Sequence, residues 1–226
     1  MTPACSQLDR LVCSAVFGKR LGLAEQYTQI LAEEGIEWGL IGPREADRLW
    51  DRHIVNCTYV IPLIAEDAWV ADIGSGAGLP GIPIALARPQ CRVDLVEPMK
   101  RRVEFLGMCV ERLGLTKQVR VVKASAQEYA AMLRRSMIRA ASPMPEVVTC
   151  RAVKSVTGLI DLVKGLVPPA QLLSIKGEKA ETEVAEAQDA LRAHDLVAKV
   201  LRLRHEQKLD EVGTVVRIST NAQTTR

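Results

Sequence analysis

The sequence has few of the features that mark membrane and exported proteins. Its 226 residues contain no apolar run that approaches the roughly 20 residues a membrane-spanning helix needs. The opening stretch, MTPACSQLDR, does not follow a basic segment with an apolar one, so no export signal is readable. We therefore expect a cytoplasmic protein without a membrane partner.

Paired cysteines are also missing. The six cysteines are widely spread and form no CxxC pair, which argues against both a zinc site and a disulfide framework. We expect free thiols, mostly buried, and no bound metal. The cysteines are Cys5, Cys13, Cys57, Cys91, Cys109 and Cys150.

Aromatic residues and net charge are low. Three tryptophans, three tyrosines and two phenylalanines, most of them expected in the core, argue against a broad stacking surface for single-stranded nucleic acid. The formal net charge of +3 is weak for a dedicated nucleic-acid coat protein, so a polyanionic partner would have to bind a local patch. The 48% hydrophobic and 25% charged residues are typical of a globular protein.

The spacing of apolar residues changes along the chain. Up to about residue 65, three- and four-residue spacing predicts helices, with two of them expected after the break at 39–43. From Ala68, short runs of Val, Ile and Leu alternate with helical stretches, which is typical of a parallel sheet covered on both faces. Strands are predicted at 68–73, 91–97, 119–124, 146–152, 171–176, 196–205 and 213–219.

The last two predicted strands have no helix between them. The polar stretch EQKLDE joins them, so we expect an antiparallel hairpin at the end of an otherwise parallel sheet. This arrangement fits a Rossmann-like class I methyltransferase better than a dehydrogenase. We predict an α/β fold: an N-terminal helical region at 1–65, a seven-stranded, mostly parallel domain at 66–219 and a flexible tail at 220–226.

A glycine-rich turn follows the first predicted strand. Gly74, Gly76 and Gly78 lie where Rossmann-like folds bind ligands, because glycine lets the backbone approach a ligand closely. The alternative is a tight turn that binds nothing.

Glu97 ends the second strand, 21 positions after Gly76, where a carboxylate can accept hydrogen bonds from ribose hydroxyls. Its alternative role is to cap the following helix.

Asp72 precedes the glycines and bears on the choice of cofactor. A carboxylate there would repel a pyrophosphate but attract the cationic ammonium and sulfonium groups of S-adenosylmethionine. This favours S-adenosylmethionine over NAD. The alternative is that Asp72 only caps the turn through backbone amides.

Five short motifs carry a resemblance to a known family: DIGSGAGLPGIP at 72–83, LWDRHI at 49–54, KRRVEFL at 100–106, CRAV at 150–153 and IKG at 175–177. On these motifs the chain resembles, over roughly residues 35 to 218, the bacterial 16S ribosomal RNA guanine-N7 methyltransferases, also called glucose-inhibited division protein B. The resemblance implies methylation of one guanosine, position 527 in the usual rRNA numbering, in the small ribosomal subunit.

The resemblance also implies cofactor contacts. S-adenosylmethionine would be bound by the glycine turn, by Glu97 at its ribose, and by further residues that match the family motifs, namely Gly74, Leu79, Ala126, Gln127 and Arg151. The chain departs from the family after its arginine–histidine motif, where a commonly acidic residue and serine are replaced by Asn56 and Cys57. The departure affects the expected RNA contacts, not the cofactor site.

Guanine N7 carries a lone pair and no proton, so methyl transfer needs alignment and no general base. We therefore predict no catalytic acid or base. Arg151 could instead bind guanine O6, a phosphate or the cofactor carboxylate, and its alternative role is an ion pair at the end of a strand. RNA contacts are expected from basic residues that could otherwise be a solvated surface: Arg52 and His53, with Arg48 on the same segment, and Lys100, Arg101, Lys154 and Lys176.

Two other functions remain open at this stage. The modest net charge would suit a methyltransferase that acts on a small molecule. A non-catalytic ribosome assembly factor could also retain the fold without binding the cofactor. We expect a monomer in each case.

Overall fold

The computed structural model describes residues 5–140, 143–151, 155–166 and 170–220. The described strands are β1 Trp69–Ile73, β2 Arg92–Val96, β3 Val119–Val122, β4 Val147–Arg151, β5 Gln171–Lys176, β6 Leu196–His205 and β7 Lys208–Thr220. The described α-helices are α1 Gln7–Phe17, α2 Leu21–Ile30, α3 Asn56–Thr58, α4 Gly81–Ala87, α5 Lys100–Arg112, α6 Ala126–Ala140, α7 Val156–Val163, α8 Ala180–Glu186 and α9 Gln188–Ala193.

Within the described residues the strands form one seven-stranded sheet in the order β3-β2-β1-β4-β5-β7-β6. The first five strands are parallel, and β7 is antiparallel to both β5 and β6. The predicted mostly parallel sheet with a terminal hairpin is therefore confirmed. Since the strand order reverses between β1 and β4, the carboxyl ends of these two strands flank the place where such sheets bind ligands.

The terminal hairpin is longer than predicted. β7 begins at Lys208, so the loop contains only Glu206 and Gln207, and most of the polar stretch expected as a loop is strand. The pairing with β6 is irregular there, because the register passes from Leu203–Gly213 to His205–Lys208 across a shift. Since residues 209–212 are all exposed, their sequence has no alternating apolar pattern that would predict a strand. Residues 221–226, most of the predicted flexible tail, lie outside the described residues.

Helices cover both faces of the sheet. On one face the N-terminal helical region packs with α4 and α5 in a single buried cluster that includes Tyr27, Leu49, Ile82 and Phe105. On the other face α6, α7 and α9 pack in a second cluster. The N-terminal region thus shares its core with the sheet, and the division at residue 65 stays a prediction. None of the described helices is long and apolar enough to cross a bilayer.

The segment that precedes β1 is less regular than the two predicted helices. Pro43–Arg48 is a 3₁₀-helix, Leu49–Val55 is a π-helix, and α3 continues it directly. Pro43 occupies the first turn, as predicted. The carbonyls of Arg52 and His53 accept hydrogen bonds from a side chain of the sheet, described below, next to this widened turn. Wide turns of this kind are frequent at functional sites.

All six cysteines lie in the described residues, and none forms a disulfide. Five of them are buried, as predicted.

Candidate active site

A cleft of about 450 Å³ opens at the carboxyl ends of β1, β2 and β4. The sheet brings the loops after these strands to one edge, and the N-terminal region closes the opposite side. The residues that line the cleft include Gly74, Ser75, Gly76, Ala77 and Leu79 from the glycine turn, Glu97, Pro98, Met99 and Arg102 after β2, Arg151 at the end of β4, and Leu40, Ile41 and His53 from the N-terminal region.

The glycine turn is held by backbone bonds and by the N-terminal region. The amides of Gly74 and Ser75 donate to the carbonyl of Val96, at 2.9 and 3.2 Å. The hydroxyl of Tyr27, fully buried in α2, donates to the carbonyl of Ala77 at 2.8 Å. Gly76 has a φ of 56°, a conformation that favours glycine. The turn therefore has a fixed shape, and α2 is part of its support.

Asp72 lies beneath the turn, and the lining of the cleft does not include it. Its side chain is fully buried, with Oδ2 accepting from the amide of Gly81 at 3.1 Å and Oδ1 from the hydroxyl of Thr149 at 3.2 Å. Burial raises the pKa of Asp72 to about 6, although these hydrogen bonds oppose the shift. The structure thus supports the capping alternative, while the predicted attraction of Asp72 for a cationic cofactor stays a prediction.

Glu97 connects the glycine turn to the start of α5. It is 1% exposed, and its Oε2 accepts from the amide of Gly76 at 3.1 Å while Oε1 accepts from the amide of Met99 at 3.1 Å. Nη1 of Arg102 lies 3.7 Å from the same Oε2. A carboxylate has about four acceptor positions, so Glu97 can cap both backbone segments and still accept from a ligand in the cleft.

Three predicted cofactor residues are not in the lining of this cleft. Gly78 is packed: an added Cβ would lie 2.5 Å from Cδ1 of Ile82. Ala126 is buried in the first turn of α6, and Gln127 next to it is exposed. The backbone that leads to α6 is tied to Glu97, since the amide of Ala124 donates to the Glu97 carbonyl at 3.3 Å. Contacts of Ala126 and Gln127 with a cofactor therefore stay a prediction.

Arg151 attaches the N-terminal segment to the sheet. Its Nη1 donates to the carbonyls of Arg52 and His53 at 3.1 and 3.4 Å, and its Nη2 lies 2.6 Å from Nδ1 of His53. The alternative role of Arg151, an ion pair at the end of the strand, is not found among the described residues. Since the guanidinium can only donate, Nδ1 of His53 must accept, and Nε2 is left to donate to Oε2 of Glu45 at 3.2 Å. Burial and the nearby Arg151 lower the pKa of His53.

A second cavity of about 530 Å³ adjoins the cleft. Both cavities are lined by His53 and Arg151, so this pair of side chains stands at their boundary. The other residues that line the second cavity are Glu45, Arg52, Asn56, Ile175, Lys176, Gly177 and Glu183. The arrangement can hold two ligands side by side.

The predicted RNA-binding residues have different surroundings. Arg52 is half-exposed and pairs with Glu45 at 2.9 Å. Lys100 is exposed, and the guanidinium of Arg101 lies 5.7 Å from the ring centre of Trp38.

Lys176 is not the open surface cation that was expected. Its side chain is 9% exposed and its Nζ is 2.8 Å from Oε2 of Glu183, because α8 packs over the end of β5. Lys154 lies outside the described residues.

The sequence reasoning missed several residues of the site. Tyr27 was assigned only to a helical core pattern, and Glu45 and Glu183 were not considered. Glu45 stands eight positions before His53, which is about two helical turns, and this spacing was the available signal. Glu183 lies seven positions after Lys176, just past the turn from β5 into α8, and this short spacing was the available signal.

Comparisons with known proteins agree with this geometry. The GidB family model, described as rRNA small subunit methyltransferase G, matches residues 20–210. A Renibacterium salmoninarum protein named ribosomal RNA small subunit methyltransferase G is 43% identical over 220 residues, which cover 94% of this chain and 96% of that protein. A Mycolicibacterium smegmatis protein of the same name is 47% identical over 194 residues, covering 84% of this chain and 77% of that one.

A solved structure supports the fold. The crystal structure of an O-methyltransferase from Bacillus cereus in complex with SAH has a TM-score of 0.57, is 12% identical, and covers 86% of this chain and 91% of its own. The predicted class I methyltransferase fold is confirmed by this similarity and by the strand order. From the family model and its close relatives, the chain belongs to the rRNA small subunit methyltransferase G family and is a methyltransferase.

Proposed function

We propose that the protein transfers a methyl group from S-adenosylmethionine to N7 of guanosine 527 in the 16S rRNA of the small ribosomal subunit. The observation that carries the proposal is the pair of adjoining cavities, one lined by the glycine turn and Glu97, the other by polar side chains, with His53 and Arg151 between them. The family supplies the choice of rRNA and of the guanine N7 atom.

The residues of the first cleft fit S-adenosylmethionine. Glu97 offers acceptors to ribose hydroxyls, and the half-exposed Met99 with Leu79 gives an apolar surface against which an adenine can pack. Gly74 and Gly76 would bring the backbone close to the cofactor, with Ala126 and Gln127 at the adjacent loop. When bound, the cofactor supplies an electrophilic methyl group on its sulfonium.

The chemistry requires alignment and no proton transfer from N7. His53 suits such a reaction, because both of its ring nitrogens have partners, Arg151 at Nδ1 and Glu45 at Nε2. Its lowered pKa keeps the ring neutral at physiological pH, where it positions the boundary between the cavities without acting as a base. Arg151 then provides positive charge at the boundary.

Contacts with the rRNA would come from the rim of the two cavities. Arg52 lines the second cavity, and Lys100 and Arg101 are exposed next to Met99, which lines the cleft. These side chains can bind phosphates, which suits recognition of a folded ribosomal surface. Action in the cytoplasm as a monomer stays part of the proposal.

The test is incubation of the protein with labelled S-adenosylmethionine and small subunits that lack the modification. We expect label in 7-methylguanosine, at one site of the 16S rRNA. Labelled product that forms without RNA would favour a small-molecule methyltransferase. Ribosome association without calorimetric binding of the cofactor would favour an assembly factor.

A further inference from the structure

Glu183 presents an unused acceptor to the second cavity. Both of its hydrogen bonds fall on Oε2, from Nζ of Lys176 at 2.8 Å and from the amide of Val156 at 3.2 Å. Oε1 accepts no hydrogen bond from the residues that the structure describes. The side chain is 26% exposed and lines the second cavity, so a ligand there can reach it.

The ion pair with Lys176 determines how the carboxylate of Glu183 can bind a ligand. The ion pair holds Oε2 in place and offsets the negative charge, which leaves Oε1 as an acceptor in a defined position. A group that meets this oxygen must donate a hydrogen bond.

The side-chain amide of Asn56 makes no hydrogen bond within the described part of the chain. It lines the same cavity, and its amide can donate and accept. The cavity therefore combines an oxygen that only accepts with an amide that can donate to a neighbouring carbonyl.

The charged side chains that line this cavity are already engaged with one another. Arg52 pairs with Glu45 and Lys176 with Glu183. Arg151 donates to the carbonyl of Arg52 and to His53. A neutral, planar ligand with hydrogen-bond donors can therefore bind to the acceptor that remains on Glu183.

The position of Glu183 determines which edge of a ligand it can meet. His53 and Arg151 line both cavities, whereas Glu183 and Asn56 line the second one and are absent from the lining of the first. A reacting atom must meet the cofactor at the boundary. The opposite edge of the same ligand then faces Glu183.

We propose that the second cavity binds the target guanine base and that Oε1 of Glu183 accepts a hydrogen bond from its 2-amino group. In guanine the 2-amino group and N1–H are donors on the edge away from N7, with O6 between N1 and N7. Glu183 would thus read the far edge, Asn56 would donate to O6, and N7 would face the boundary. Adenine lacks the 2-amino donor, so Glu183 selects against it. This inference rests on the proposed function.

The test compares guanosine with inosine, which lacks the 2-amino group, at the target position of small subunits reconstituted from ligated 16S rRNA. We expect the wild-type protein to methylate the guanosine particle at least about tenfold faster, because the inosine particle leaves the acceptor unpaired. Glu183→Gln should lower kcat/KM for guanosine by about tenfold to a hundredfold and bring the two particles to similar rates. Its calorimetric affinity for S-adenosylmethionine should be unchanged.

Glu181→Gln is the matched control, since Glu181 lies in the same helix but pairs with Arg202 at the surface. It should keep the wild-type preference. If Glu183→Gln is unfolded by circular dichroism, Glu183→Asp, which withdraws the acceptor by one methylene, must reduce the preference instead. If Glu183→Gln or Glu183→Asp methylates neither particle, binding is measured instead. The variant must then bind the guanosine particle and the inosine particle with similar affinities.

The outcomes separate the two proposals. An active wild-type protein whose preference for guanosine survives in the folded Glu183 variants would overturn the role of Glu183 and leave the proposed function intact. Equal methylation rates of the guanosine and inosine particles by the wild-type protein would also overturn the role of Glu183. A wild-type protein that places no label in guanosine would overturn the proposed function itself, and this inference with it.

Discussion

The two sides of the cleft are built from different ranges of the chain. The glycine turn and Glu97 come from one stretch, and the bond between Gly76 and Glu97 joins residues 21 positions apart. On the other side His53 is held by Arg151, a residue 98 positions away. The first side is thus formed by local chain geometry, while the second exists only after the N-terminal region has packed on the sheet. We expect the two sides to fail differently when mutated.

The largest effect on cofactor binding is expected at the side formed by the glycine turn and Glu97. Gly76→Val puts a β-branched residue at a φ of 56°, which costs about 1–2 kcal/mol, and places its side chain at the cleft. Binding of S-adenosylmethionine, followed by calorimetry, should weaken by more than about a hundredfold, or about 2.7 kcal/mol. Gly107→Ala is the control, because an added Cβ there meets no atom within 4 Å. Equal affinities for the two variants would show that the turn does not bind the cofactor.

Glu97→Ala should have the next largest effect. It removes the acceptor for the amides of Gly76 and Met99 and for the ribose, so cofactor affinity should fall by about 1–3 kcal/mol. Calorimetry measures the loss, and Glu104→Ala, an exposed carboxylate in α5, should leave the affinity unchanged. An unaltered dissociation constant for Glu97→Ala would remove this residue from the site.

Tyr27→Phe tests whether the N-terminal region also supports the side of the cleft formed by the glycine turn and Glu97. The variant loses the hydrogen bond to the carbonyl of Ala77, and urea denaturation should show a free energy of unfolding lower by about 0.5–1.5 kcal/mol. The control is Tyr59→Phe, since the buried hydroxyl of Tyr59 has no hydrogen-bond partner among the described residues. That variant should be neutral or slightly stabilising. The same loss in both would mean that the bond to Ala77 does not support the turn.

The smallest effect is expected at the rim. Arg52→Ala should leave cofactor affinity unchanged and raise KM for small subunits severalfold, with the slope of log KM against log salt reduced by about one. Arg192, exposed on α9, provides the control variant Arg192→Ala. Weaker cofactor binding in Arg52→Ala would contradict the separation of the two sides.

The sheet could be predicted from the sequence because its buried strands are short apolar runs between clear helices. β1, β2 and β5 begin and end within one residue of the predicted limits. The hairpin was less accurate, since residues 209–212 near the start of β7 are all exposed and carry no alternating apolar pattern. An exposed, irregularly paired stretch of strand leaves little trace in the sequence.

The site was predictable where its residues lie close together in the sequence. Gly74, Gly76 and Glu97 lie close in the chain, and the structure brings them into one cleft. The direction of Asp72 could not be read, because a side chain at the end of a strand can point into the core or into the site. The partner of Lys176 was not predicted either, although Glu183 follows it by only seven positions, because that spacing across a strand-to-helix turn does not show that the two side chains meet.

The most direct test of the account is to map 7-methylguanosine in the 16S rRNA of cells that lack this protein. We expect the modification at position 527 to disappear, to return with the wild-type gene, and not to return with Gly76→Val. Full methylation at that position in the deletion strain, or restoration by the Gly76→Val variant, would contradict it.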